Sequence, residues 1–523
     1  MKNKFLTLVA VAALFVSCQD AYEVTQPGYQ FEDTAVYNTP ADINRGVSGL
    51  YSSLPAESEI DFVSYFTDEL GVGRDNAGQG INDGSYRFFM NAGNSFAAST
   101  WTSYYNIINR CNRLLNRIEE LKVVNPALET DYNKNRGRIL AIRAYSHMKL
   151  FAYFTPDYKN PTGLSVIKFD FLQTSDYTRF EKRATVAEIV SFIESDINEA
   201  LTYDISYSDG DPTIPRIKAY VSTAFAHAVL VKLYAMTGNA SGVIEHVDAI
   251  GTASLGQPID FVTLFAKDSE SNTSNTETNP DVISYLLRLP TESYAVAGSW
   301  WAGRVDAQRG SAYMEIGRSL YNELDKLDPA STNQGVTASR ADVRYGVTVL
   351  GSSSPQANYA SLAADVYRTR DLLFIGKYPG SAQAVLQNNI MLFRYADMLL
   401  AKAEAYAMQG NVSGVEGLIT DLRTARNFAG SPASMPTITS VQSAWKAILE
   451  ERRLEFAFEG HRYLDMKRLG VLAGSPGFVR DAKDCETNGA CALEPSSFKL
   501  TLPIPRVEIQ ANPAIASQQN PGY

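Results

Sequence analysis

Histidine, cysteine and tryptophan are scarce in this chain, each occurring four times in 523 residues. The histidines, His147, His227, His246 and His461, are scattered, and there is no HExxH pair to hold a zinc ion on one helix face. GxxxxGK[ST] is missing, as is a nucleophile elbow, so neither a phosphate-cradling loop nor an activated serine is offered. Basic residues are outnumbered 47 to 57, for a net charge of -10 and a pI near 5.2. With no basic stripe to neutralise phosphates, a nucleic-acid partner is excluded. Long apolar runs are lacking too: the stretch from Phe5 to Val16 covers 12 residues, fewer than the about 20 that span a bilayer.

What is present is the composition of a large folded body, 45% hydrophobic and 20% charged, with 29 tyrosines and 24 phenylalanines. Lys2 and Lys4 ahead of the Phe5–Val16 run mark residues 1–17 as a secretion signal. Ser17-Cys18 resembles the end of a bacterial lipobox, although Phe15 stands where leucine is usual, and Cys18 is the expected site of lipidation. Acyl chains there would tether the rest of the chain to a membrane. Cys111 falls on an apolar helical stripe and reads as a small core residue. Cys485 and Cys491, in KDCETNGAC, are expected to form a disulfide in an oxidising exterior, with free thiols as the alternative, and too few ligands surround them for a metal.

Helical periodicity dominates. It begins after Pro40 and runs toward Leu70. Trp101, Tyr104, Ile108, Cys111, Leu115 and Ile118 define a long helix, and Leu140, Ala144, His147, Phe151 and Phe154 define its antiparallel partner. On that stripe His147 reads as a core histidine. Thr185 and Glu188 form a capping box for a helix through Val186, Ile189, Ile193 and Ile197. Two further helices, from Arg216 to Asn239 and from Met391 to Asn411, end in YAMTGN and YAMQGN, 172 residues apart. The Gly-Asn pair reads as a helix stop. The alternation resembles tetratricopeptide hairpins, whose repeat is about 34 residues. Residues 251–383 differ, with short apolar runs such as VISYLLRL and RYGVTVL between polar loops, and predict loops and short strands packed on the helices.

Between Ile448 and Gly470 the chain reads ILEERRLEFAFEGHRYLDMKRLG. Arg452 sits where the stripe of Val441, Trp445, Ile448 and Phe456 calls for an apolar side chain, so it must meet a carboxylate, and Glu451, Glu455, Glu459 and Asp465 are near in sequence. Gly460 offers a left-handed stop between two helices. Arg452, Glu455, Glu459 and Asp465 are therefore read as a structural ion network and not as an acid/base site. This stretch resembles the C-terminal signature of the SusD/RagB-like outer-membrane nutrient-binding lipoproteins. The resemblance implies a mostly α fold in which tetratricopeptide-like hairpins form a right-handed scaffold, about 40–250 and 384–470. On it would sit a loop-rich ligand-binding insertion, about 251–383, followed by a C-terminal tail, 471–523, all within one domain from residue 18. It also implies a lipid-anchored protein exposed on the outer membrane. Such a protein would capture oligosaccharide and deliver it to a TonB-dependent SusC-like transporter, without cofactor, metal or catalysis.

Sugars present an apolar C–H face and a rim of hydroxyls, so their sites pair flat aromatics with amide, carboxylate or guanidinium groups. Trp101 and Trp445 are assigned to helix cores. Trp300 and Trp301 in SYAVAGSWWAGRVDAQRG point to opposite sides of an extended segment, which makes one a candidate for a binding surface, with Tyr294 and Arg304 nearby; the alternative is that both pack the loop region onto the helices. The glycine-rich loop from Gly71 to Ser99 offers Arg74, Asp75, Asn76, Phe88, Asn91 and Asn94, together with Tyr86, Phe89 and Phe96. Rival readings are a peptide binder of the same family, a tetratricopeptide scaffold for a protein partner, and a glycosidase whose paired carboxylates converge only in three dimensions.

Overall fold

The computed structural model describes residues 33–523 apart from 79, 82–83, 173–178, 208–216, 252, 266–271, 290–296, 298–312, 328–340, 381–386 and 433. Helix α1 (Pro40–Ser52) starts at a capping box, Thr39 with Asp42, and has proline in its first turn. Pro55 separates it from α2 (Ala56–Phe66), and a short strand, β1 (Leu70–Val72), follows. Then come the long hairpin of α3 (Ser95–Val124) and α4 (Glu129–Phe154), and α5 (Val186–Ala200), which Thr185 and Glu188 cap reciprocally. Helix α4 lies between α3 and α5, which explains why its C-terminal half is buried on nearly every side. His147 is wholly buried there: its Nδ1–H donates to the Arg143 carbonyl at 3.0 Å, the Phe169 N–H donates to Nε2, and burial pushes its pKa down to about 3. Cys111 is a buried free thiol.

The next hairpin pairs α6 (Thr223–Thr237) with α7 (Ala240–Asp248). Strands β2 (Val282–Leu286), β3 (Met314–Ile316) and β4 (Ile390–Arg394) precede the hairpin of α8 (Tyr395–Met408) and α9 (Val412–Ala425). Both turns repeat one device. Gly238 and Gly410 take φ of 86° and 73°, and Asn239 and Asn411 cap the following helix by accepting from the N–H of Gly242 and Gly414, each at 3.0 Å. A Cβ on Gly242 would fall 2.5 Å from the Tyr234 ring, and one on Gly414 would fall 2.6 Å from the Tyr406 ring. Glycine there lets the second helix lie against the tyrosine of the first. Helix α8 packs on α6 and α7 and on α10 (Val441–Glu455), which continues through Gly460, at φ 81°, into α11 (Arg462–Leu469). The architecture is mostly α, with paired helices stacked side by side in a tetratricopeptide-like manner.

The sheets are small: β1 pairs antiparallel with β3, β2 with β4, and β5 (Phe478–Val479) with β6 (Ala492–Leu493). The structure differs from the periodicity reading at several points. The run expected as a helix from Met391 is extended until Arg394, because β4 must pair with β2 before α8 can start. The helix expected from Arg216 starts at Thr223, capped by Ser222. RYGVTVL, expected to be extended, forms the helix Val343–Thr348, and Pro258–Leu264, Arg318–Asp325 and Ala364–Arg370 are helical as well.

Two charge networks knit these layers. Arg452 is 1% exposed, and its partners are Asp465 at 2.8 Å, Asp397 at 2.7 Å and Glu404 at 3.7 Å. Lys232 and Arg468 complete three cations against three carboxylates. Glu451, Glu455 and Glu459, near Arg452 in sequence, belong instead to a second network. There Glu455 joins Arg426 and Arg394, Glu459 joins Arg394 and Lys377, and Glu451 joins Arg344 and Arg423. Burial opposes the charge of Glu455, but Arg426, Arg394 and Arg344 outweigh it and hold the carboxyl well below the usual range.

Candidate functional site

The strand pair β1–β3 decides where the loop face lies. Leu70 pairs with Ile316 and Val72 with Met314; the Gly73 N–H donates to the Tyr313 carbonyl at 3.0 Å, and the Asn76 amide donates to the same oxygen at 2.8 Å. The chain that enters β3, in the middle of the insertion, therefore arrives beside the loop that leaves β1. Beneath this junction Glu315 accepts from the N–H of Leu373 at 2.8 Å and of Arg74 at 3.3 Å. Burial pushes its carboxyl up to about 8, with the Asp371 and Asp484 charges adding to the effect. Arg74 and Asp75 pair with each other at 3.2 Å, both partly exposed, ahead of a left-handed turn at Ala77 and Gly78.

The residues proposed from sequence divide sharply. Trp300, Trp301, Tyr294 and Arg304 lie outside the described residues, as does Cys18. Arg74 and Asp75 reach solvent. Asn76 is buried and spent on the Tyr313 carbonyl, Asn91 accepts from the Gly93 N–H at 2.8 Å, and Asn94 caps α3 through the Ala97 N–H at 3.0 Å. Phe88 is not at the surface. Its backbone is left-handed, at φ 54°, and its ring packs against Phe66 and Phe478, so Phe88 is 3% exposed while its neighbour Phe89 is 57% exposed. Cys485 and Cys491 are joined as a disulfide.

Next to this loop, between α2 and the start of α3, is a hollow of about 460 Å³ walled by Ser58, Asp61, Tyr65, Gly80, Ser85, Ser95 and Ser99. Its floor is Phe62 stacked on Phe96, with ring centroids 4.0 Å apart. Hydroxyls, one carboxylate and an aromatic rim above an apolar floor can hold a polyol whose C–H face needs a flat surface and whose hydroxyls need donors and acceptors. The α2 residues went unnoticed in the sequence, although a signal exists. Ser58, Asp61 and Tyr65 follow at steps of three and four, opposite the buried Ile60, Val63 and Phe66.

The hairpin stack, the insertion between its two parts and the loop face over α2 and α3 define a mostly helical protein with a hollow on its loop face. Residues 327–523 match the model of the SusD family, and residues 34–234 match a SusD-like model described as starch-binding associating with outer membrane. The chain belongs to the SusD/RagB-like family. SusD-like protein P38 of Formosa agariphila is 25% identical over 518 residues, covering 91% of this chain and 93% of that one. A SusD superfamily crystal structure from Bacteroides thetaiotaomicron superposes with a TM-score of 0.70 at 21% identity, covering 92% of this chain and 100% of its own. A SusD-like carbohydrate binding protein from Bacteroides vulgatus has a TM-score of 0.66 at 15% identity, covering 91% and 97%. Among the described residues no helix is long and apolar enough to cross a membrane.

Proposed function

We propose that this chain is a lipoprotein anchored through Cys18 to the outer membrane, where it binds oligosaccharide on its loop face and hands it to a TonB-dependent SusC-like transporter. The observation that carries the reading is the β1–β3 junction. It brings the middle of the insertion, which in sequence follows Trp300 and Trp301, to the Arg74–Asp75 loop, beside a hollow of hydroxyls and aromatics. Membership of a family whose model is described as starch-binding and outer-membrane-associated supports it. In this reading the helical regions 40–250 and 384–470 are scaffold, 251–383 shapes specificity, and no residue is catalytic.

Calorimetry on the protein starting at residue 19, with soluble starch, an oligosaccharide panel and a peptide panel, tests the reading. Trp300→Ala with Trp301→Ala, or Tyr65→Ala, should weaken sugar binding at least about tenfold, equivalent to about 1.4 kcal/mol. Unchanged affinity in every variant removes this face as the site. Binding of peptides and of no sugar overturns the choice of ligand.

A further inference from the structure

Besides the start of α3, the hollow has walls from three backbone stretches: the end of α2 at Tyr65, the loop at Gly80, and the loop at Ser85. All three are tied to one remote segment, residues 480–491. Arg480 is 3% exposed and forms no ion pair among the described residues. Instead, every N–H of its guanidinium goes to a backbone carbonyl. Nε and Nη2 donate to Thr67 at 3.0 and 2.8 Å, Nη2 to Tyr65 at 3.0 Å, and Nη1 to Ala490 at 3.1 Å and to Tyr86. The guanidinium plane lies over the rings of Tyr86 and Phe88, 3.9 and 4.1 Å from their centroids. A planar fork of five donors fixes the angle between the groups it binds, which a lysine could not do. One side chain therefore sets the α2 wall against the Ser85 wall.

The second tie is Asn488, which donates to the Ile81 carbonyl at 2.9 Å, next to Gly80, and accepts from the Ala490 N–H at 2.9 Å. The Tyr86 hydroxyl adds a third, donating to the Asp484 carbonyl at 3.1 Å. Asn488 and Ala490 both sit inside the loop that the Cys485–Cys491 disulfide closes, and the Cys491 carbonyl accepts from the Arg480 N–H at 2.9 Å. Gly489 takes the left-handed turn of that loop, at φ 71°; its N–H donates to the Cys485 carbonyl at 2.8 Å and its carbonyl accepts from the Cys491 N–H at 3.1 Å, so the covalent closure and these two bonds hold the loop together.

We propose that the segment 480–491 is a clamp: Arg480, Asn488 and the Cys485–Cys491 pair are positioning residues that hold the walls of the hollow in its binding geometry. The proposal rests on the sugar-binding reading of that hollow. Opening the disulfide frees the carbonyl of Ala490 and the amide of Asn488, and the loop from Gly80 to Phe89 then loses its registration with α2. The helical stack, which none of these bonds crosses, stays as it is.

Hydrogen exchange tests the clamp without a ligand, on the full chain from residue 19, oxidised and as Cys485→Ser with Cys491→Ser. Amides of residues 80–89 should exchange at least about tenfold faster in the variant while those of α4 and α8 are unchanged. Soluble starch should bind that variant, and Asn488→Ala, at least about tenfold more weakly. Unchanged exchange at residues 80–89 overturns the clamp, as does faster exchange with starch affinity retained. If wild-type protein binds no sugar at all, the functional reading falls, and exchange alone decides whether the clamp fixes these walls.

Discussion

Replacing Glu455 by glutamine removes one charge from a network in which five cations, Arg344, Lys377, Arg394, Arg423 and Arg426, face five carboxylates, Asp281, Asp342, Glu451, Glu455 and Glu459. Arg426 and Glu455 have no exposed side-chain surface, and Arg394 has 2%. At an effective dielectric near 20, one pair 4 Å apart is worth about 4 kcal/mol. The substitution weakens three pairs, to Arg426 at 2.9 Å, Arg394 at 2.8 Å and Arg344 at 3.9 Å, while Asp281 continues to neutralise Arg426 and Arg394 in part. The net expectation is a loss of about 3–5 kcal/mol, the usual result of stranding a buried charge. Urea denaturation followed by far-UV circular dichroism reads it as a lower midpoint at pH 7. Glu450→Gln is the control, since its pair with Lys446 is 54% and 65% exposed, and it should cost under about 1 kcal/mol. Equal midpoints for the two variants would refute the claim that burial gives the network its weight. The sign with pH follows from the depressed carboxyl: the stabilisation from Glu455 is present above the ordinary glutamate range and is lost as pH falls through the folded-state value.

Two more perturbations probe the loop face and the hairpins. Glu315 is held protonated by burial up to about 8, against 4.5 for the ordinary group, so between those values the folded chain binds more protons than the unfolded one. Stability should therefore fall as pH rises through that window, and Glu315→Gln should lessen the fall by about 1 kcal/mol per pH unit in thermal or urea melts; parallel pH profiles would count against a neutral carboxyl beneath Arg74. Gly242→Ala and Gly414→Ala press a methyl group into Tyr234 and Tyr406, and each should cost about 1–3 kcal/mol. Gly417→Ala, with open space around it on α9, should cost nothing or stabilise slightly. Melting temperatures of the three variants separate these outcomes.

Local chemistry was legible in the chain itself. The Thr185–Glu188 box, the Gly-Asn stops after α6 and α8, the apolar stripes of α3 and α4 and the demand of Arg452 for a carboxylate all follow from neighbours within one or two helical turns. Tertiary structure alone decided which carboxylates answer that demand. Asp397 and Glu404 on α8 reach Arg452 from 55 and 48 residues away, while Glu455, three positions along, faces Arg426 and Arg394. The surface divides in the same way. Nothing local separates Phe88 from Phe89, and only the left-handed backbone of one and its packing on Phe478 bury it and expose the other. Caps and periodicity act over a few residues. Ion pairs, strand partners and the walls of a hollow depend on distances that folding sets between segments far apart in the chain, and sequence separation carries no record of those.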